Sequence, residues 1–135
     1  MFSEVISYQA SSQGLYNITQ QIEEVVKRSN IVDGMCNIFV CHTSCSLCIQ
    51  ENHDPNAKRD LEEFMMRLVP FVGWFTHVEE GQDDMPSHIK AALTNVCLTI
   101  PVIGGKLAMG QWQGIYLWEH RDNPSARKLR VSLWS

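Results

Sequence analysis

The sequence predicts an α+β fold, a single domain over residues 1–135 in which mixed or antiparallel β-sheets pack with about three helices. Helical periodicity is concentrated in the first two thirds of the chain, and strand-like segments dominate the last third. No repeat or low-complexity linker divides it. Helices and strands segregated in this way favour α+β over an alternating α/β arrangement. With 44% hydrophobic residues and four Trp, the chain can bury a real core and is not disordered.

Residues 2–8 suit an opening strand, with Phe2, Glu4, Ile6 and Tyr8 on one face and Ser3, Val5 and Ser7 on the other. Asn17 then caps a first helix, whose apolar stripe is Ile18, Ile22, Val25 and Val26, with Gln20 in the capping-box position. Asp33-Gly34 turns the chain into Asn37-Ile38-Phe39-Val40, a short β-branched and aromatic run that reads as a buried strand. Asp54-Pro55 starts a second helix, with Asp at the N-cap and Pro at the first helical position. Its buried face is expected to be Leu61, Phe64, Met65 and Leu68, and Pro70 ends it. A loop over 71–84 leads to a short helix starting near Pro86. Strands over 96–102, 106–109, 114–119 and 128–134 complete the chain.

Composition narrows the function classes. A net charge of −4 gives no bulk attraction to nucleic acid. Nor does any basic, aromatic-rich strand face suggest an RNA module. No apolar run approaches the roughly 20 residues that span a bilayer. The start, Met1-Phe2-Ser3-Glu4, lacks a basic segment followed by an apolar one, and five cysteines are too sparse for a disulfide scaffold. The expectation is a reduced, cytoplasmic protein with neither a nucleic-acid nor a membrane partner.

Chemistry concentrates between the buried strand and the second helix, in Cys41-His42-Thr43-Ser44 and Glu51-Asn52-His53-Asp54. Cys41, Cys45 and Cys48 have a spacing that can hold an iron–sulfur cluster. Against that reading, the chain is short for the barrels that use it. On a strand, moreover, Cys48 would point away from the other two. Small buried hydrophobes are the simpler reading. Of the nearby carboxylates, the helix dipole accounts for Asp54. Glu51 could orient a ligating histidine or act as an acid–base group, and Asp60, beyond the first turn, invites a specific partner. Ser87-His88 at a helix start could face an anion. Glycines around Trp112 suit a tight strand connection with the indole in the core, or else bring backbone amides near Gly110 to a ligand, with Gln113 adding a hydrogen bond. Arg121, Arg127, Lys128 and Arg130 form a positive cluster, read first as a solvated face and second as a phosphate site.

Three motifs occur in order: His42-Thr43-Ser44 with Glu51-Asn52-x-Asp54-Pro55, then Asp83-Asp84-Met85-Pro86-Ser87-His88-Ile89-Lys90, then Gly105-x4-Gly110-x-Trp112-Gln113-Gly114-Ile115. Over nearly its whole length the chain resembles the YjbQ family, also called the secondary thiamine-phosphate synthase family. Gln111 stands where that family usually has Thr, and Cys97 where a small hydroxyl residue is common. The resemblance implies a homotrimer with sites near subunit boundaries. It also implies weak or secondary thiamine-phosphate synthase activity, joining a hydroxymethylpyrimidine diphosphate to a thiazole phosphate with release of pyrophosphate. The alternative is a non-catalytic trimer that binds a metal and a phosphorylated small molecule. His42, His77 and His88 fall on the family's characteristic histidine positions and are the expected ligands of a divalent ion, zinc or similar, with magnesium accompanying a diphosphate substrate. Glu51, Asp60, Lys90 and Gln113 are the expected catalytic groups. Thr43, Ser44, Asn52, Ser87, Gly110, Trp112 and Gly114 are the expected ligand contacts. The three histidines are expected to meet in one cavity, with Glu51 or Asp60 beside them.

Overall fold

The structure, a computed structural model, describes residues 1–135. Eight strands and three helices follow in the order β1 (Phe2–Tyr8), β2 (Gly14–Asn17), α1 (Thr19–Ser29), β3 (Gly34–Val40), β4 (Cys45–Glu51), α2 (Pro55–Leu68), α3 (Asp84–Leu93), β5 (Cys97–Ile103), β6 (Lys106–Leu107), β7 (Gln113–Glu119) and β8 (Arg127–Trp134). The strands form two sheets, ordered β1-β8-β3-β5-β6 and β2-β7-β4, and every pairing is antiparallel. The α+β expectation holds. No helix is long and apolar enough to cross a membrane.

Local chemistry accounts for most boundaries. Asn17 caps α1 from just outside it, its Oδ1 accepting from Thr19 N at 3.0 Å and from the Thr19 hydroxyl at 2.6 Å. Ile18, Ile22, Val25 and Val26 are all buried, as the stripe predicts. Asp54 caps α2 through Asn56 N at 2.9 Å, with Pro55 beginning the helix. Strand β2 is absent from the sequence reading because it is only four residues long and merges with the cap of α1. It needs Gly14: φ there is +146°, and a Cβ would lie 2.5 Å from Glu62 Oε2. That carboxylate accepts from Leu15 N at 2.8 Å and ties α2 to β2.

The two sheets and the helices make layers. Ile38, Val131 and Leu133 of the large sheet meet Leu47, Ile115 and Leu117 of the small sheet and the stripe of α1 in one core. On the other side of the small sheet, Leu15, Tyr116 and Trp118 meet Met65 of α2 and Ile89 of α3 in a second. Strand β7 is buried on both faces, so its alternate residues serve different cores. The same alternation sends Cys45 to the first core and Cys48 to the second. Cys41 is exposed. Their thiols cannot face one cluster, and burial pushes Cys45 up to about 12 and Cys48 up to about 11, as for small hydrophobes.

One packing expectation needs correction. On α2, Met65 is buried and Leu61 half-buried, but Phe64 and Leu68 are 64% and 54% exposed. The helix presents only one row to the small sheet, so the rest of its wider apolar stripe stays open in the single chain. Phe64, Leu68, Trp74 and Leu93 are all exposed on this helical side of the molecule.

One buried ion pair joins the layers. Arg127 on β8 donates through Nε to Glu119 Oε1 at 2.7 Å and through Nη2 to Oε2, and both residues are at most 4% exposed. Removing one partner leaves a buried charge unpaired, which typically costs about 3–5 kcal/mol. Glu119→Gln and Arg127→Met should each lower unfolding stability by that order in chemical denaturation. The double variant should recover much of the loss; a double variant no better than the worse single one would refute the pairing argument.

Candidate metal centre

Helix α3 begins at Asp84 and carries His88 four residues later, so helical geometry stacks the two side chains on one face. The preceding loop returns His77 to that face. His77 Nε2 lies 2.7 Å, and His88 Nε2 3.3 Å, from the same Asp84 oxygen, Oδ2. One ligand atom from each residue falls within 4.8 Å of the other two.

Each group is held from behind. His88 Nδ1 is 2.8 Å from the Thr43 carbonyl, which can only accept, so Nδ1 carries a proton. In a neutral imidazole the lone pair is then on Nε2, facing a carboxylate that is also an acceptor. Two acceptors at 3.3 Å repel unless a cation, proton or metal ion, stands between them. Asp84 is 3% exposed, and its other oxygen accepts from Arg121 Nη1 at 2.7 Å. The same guanidinium donates to Asp83 Oδ2 at 2.8 Å and to the Glu80 carbonyl at 2.9 Å. Burial alone would raise the Asp84 carboxyl, but the His77 hydrogen bond and the Arg121 charge hold it below the usual carboxylate range. Two imidazoles and an ionised carboxylate suit zinc and similar ions and leave coordination positions open. To ligate through Nε2, His77 would give up the proton it now donates to Asp84.

The other predicted residues divide into those near this group and those far from it. His42 is near but does not converge with it. Its Nε2 accepts from Lys128 N at 2.8 Å, which leaves the ring proton on Nδ1; Arg127 Nη1, itself only a donor, lies 3.4 Å from that nitrogen and makes no hydrogen bond to it in this tautomer. Burial, then the Arg127 charge, holds this imidazole below its ordinary pKa. Within one chain it has no free lone pair for a metal. It borders a shallow cavity of about 260 Å³ with Thr43, His88, Ala91, Ala92 and Val96. The Ser44 carbonyl accepts from Arg127 Nη2 at 3.4 Å.

Ser87 faces no anion. The helix begins three residues earlier than it, so the Ser87 amide donates to Asp83 O at 3.0 Å and its buried hydroxyl to Asp84 O. Lys90 is also turned away from the histidines, with Nζ donating to Gln13 Oε1 at 3.0 Å.

The second predicted group lies at the opposite end of the small sheet. Cys45 pairs with Glu119 at one end of β4 and Glu51 with Gln113 at the other. Six residues of antiparallel strand separate them, roughly 20 Å. Glu51 is exposed and accepts from Asp54 N at 3.3 Å, and Asp60 is exposed on α2. The Gly110 amide donates to Gln113 Oε1 at 2.7 Å, so the two bond each other. Asn52 donates through its amide and Nδ2 to the carbonyls of Trp112 and Gln113 at 3.0 and 3.3 Å. Trp112 is 51% exposed rather than in the core, its ring 4.5 Å from that of His53. Gly114 is needed for packing, since a Cβ would come within 3.0 Å of Asn52 Cβ.

Two residues of this group, Asp84 and Arg121, are not ligand candidates in the sequence analysis. Asp84 was part of a motif yet not proposed as a ligand, although its four-residue spacing from His88 was the available signal. In the sequence Arg121 belongs to a positive cluster, whereas in the fold it and Arg127 are both committed to carboxylates.

Layered antiparallel sheets packed with three helices make this a small α+β domain. This chain belongs to the YjbQ family: the family model described as UPF0047 protein YjbQ-like matches residues 4–135. It is 44% identical to the UPF0047 protein sll1880 of Synechocystis over 95% of this chain and 88% of that one. It is 36% identical to the UPF0047 protein YjbQ of Escherichia coli O157:H7, over 98% and 96%. Among solved structures, a YjbQ/UPF0047 family protein of Clostridium acetobutylicum matches with TM-score 0.84 and 34% identity, over 99% and 100% of the two chains. A protein of unknown function from Sulfolobus solfataricus matches with TM-score 0.88 and 27% identity, over 98% and 95%.

Alanine at His77, Asp84 or His88 should lower the zinc content of protein purified without an affinity tag and equilibrated with the ion. His42→Ala and His53→Ala should leave it near wild type. Elemental analysis decides: metal retained by all three of the first variants removes the centre.

Proposed function

We propose that this chain binds a divalent ion through His77, Asp84 and His88 and acts there on a phosphorylated small molecule. Thiamine-phosphate synthesis is the reaction that the family resemblance implies. The observation carrying the metal reading is the His88 Nε2 lone pair aimed at the Asp84 carboxylate, a pair of acceptors that requires a cation. A bound divalent ion would stabilise the charge that develops on a departing pyrophosphate. Thr43 fixes the tautomer of His88, and Arg121 holds Asp84 ionised and in place. Open coordination positions and the adjoining shallow cavity suit a ligand that approaches from solvent.

A second reading, binding without turnover, has its own support. Glu51, Asp60 and Gln113 lie on or beyond the far end of β4, so a single chain supplies none of them as an acid–base group at the metal. Synthase turnover by wild type beside His88→Ala separates the two. Catalysis requires activity above background that falls roughly 10²-fold or more in the variant, the scale of losing a preorganised stabilising group. Diphosphate binding without turnover would leave the binding reading.

We also propose that the chain assembles with itself, as the resemblance implies, through the apolar helical side. Leu68, Val72, Trp74, Phe75 and Leu93 line a shallow depression there, 78% of Trp74 being exposed. Light scattering should give a trimer for wild type and a smaller species for Leu93→Glu or Trp74→Glu. A monomeric wild type would overturn the assembly, and an unchanged trimer in both variants would overturn this surface.

A further inference from the structure

Lys90 is the chain's most confined ammonium, 3% exposed on the inner face of α3. Its Nζ has a single good acceptor, Gln13 Oε1 at 3.0 Å, with the weakly accepting Met66 sulfur at 3.5 Å. An ammonium has three donors, so its hydrogen-bonding capacity is not filled by the protein. It borders a cavity of about 170 Å³ between α2, α3 and the small sheet, whose walls include Met65, Met66 and Trp118. A cavity of about 150 Å³ takes a benzene-sized guest.

The other charges on this cavity are already answered. Glu62 accepts from Lys58 and from the Leu15 amide. Glu119 receives the Arg127 fork and two backbone amides. Asp122 reaches Lys90 only indirectly, accepting from Gln13 Nε2 at 2.8 Å on the exposed side. The ammonium therefore has no carboxylate within hydrogen-bond reach, Asp122 and Asp83 acting on it only through space, a costly state for a buried charge. His120, 1% exposed, shares the cavity wall. Thr94 donates to Ser46 at 2.6 Å, and Ser46 sits 2.9 Å from His120 Nε2.

We propose that this cavity is a binding site for a small carboxylate of about benzene size, its oxygens taken by Lys90 and its body packed between Met65, Met66 and Trp118. The site is separate from the His77-Asp84-His88 centre and does not depend on a metal. A carboxylate supplies two acceptor oxygens and the missing counter-charge together, and charge-assisted hydrogen bonds are the strong ones. Thioether and indole walls favour a flat apolar body.

The test is calorimetric titration of chelator-treated full-length protein with benzoate, and with toluene as its uncharged counterpart. Wild type should bind benzoate, with toluene at least about tenfold weaker, and Lys90→Met should lose about tenfold or more of the benzoate affinity. Lys106→Met, the same charge change at an exposed site, should bind as wild type. Should Lys90→Met fail to fold, Met66→Trp keeps Lys90 and fills the cavity, and it should abolish binding. The proposal is overturned if wild type does not bind benzoate at millimolar concentration, if Lys90→Met binds it equally, or if Met66→Trp leaves the affinity unchanged. Because metal is absent throughout, failure here leaves the centre on α3 untouched, and failure of that centre leaves this site untouched.

Discussion

The arrangement of this molecule depends on the buried Glu119–Arg127 pair. Glu119 is the last residue of the central strand in the small sheet, and Arg127 the first residue of a strand in the large one. Two parallel N–H···O bonds between planar groups fix orientation as well as distance. The same guanidinium donates to the Ser44 carbonyl, so it also bears on the path of residues 41–44. That path presents the Thr43 carbonyl to His88. The tautomer of a histidine on α3 is therefore decided by an ion pair two elements away. Hydrophobic residues of similar size would hold the sheets together as well or better. What they would not supply is the hydrogen-bond direction that places Thr43.

Three consecutive residues at the end of β7 show how strand alternation distributes chemistry. Glu119 points to the large sheet and Arg127. His120 borders the cavity with Lys90, where burial lowers it to about 3 and keeps it neutral. Arg121, just beyond the strand, turns to Asp83 and Asp84. Three neighbouring titratable groups thus serve a sheet junction, a cavity wall and a candidate metal ligand without competing for one another's hydrogen bonds.

Elements governed by local rules were legible in the sequence. The cap at Asp54, the stripe of α1, the alternation of β1 and the closing strands follow from spacing and turn chemistry, and an α+β fold with mixed or antiparallel sheets follows from their order. What was not legible depends on which donors and acceptors meet in space. Histidine 42 looks like a ligand beside a strand end, but only the antiparallel neighbour β8 reveals the Lys128 amide that occupies its Nε2. Gly110 and Gln113 resemble a ligand loop until they are seen to bond each other. The sequence also suggests one site from motifs that strand β4 holds at opposite ends. Resemblance orders motifs along a chain, and it does not state which end of a strand each one occupies.

The candidate centre is built by overdetermining its one anion. Asp84 is nearly inaccessible, a position that by itself disfavours an ionised carboxylate. Arg121 offsets that cost on one oxygen, leaving the other free of cationic side chains except for the imidazoles. The guanidinium is in turn anchored by Asp83 and the Glu80 carbonyl, so it cannot follow an incoming ligand. His88 is locked by Thr43, whereas His77 is about half exposed on a loop with only Asp84 to hold it. A cation entering here would meet two preset ligands and one that can adjust. That order of rigidity lets the fixed pair select the position of the ion while His77 closes over it, and it places whatever the ion carries on the solvent side of α3.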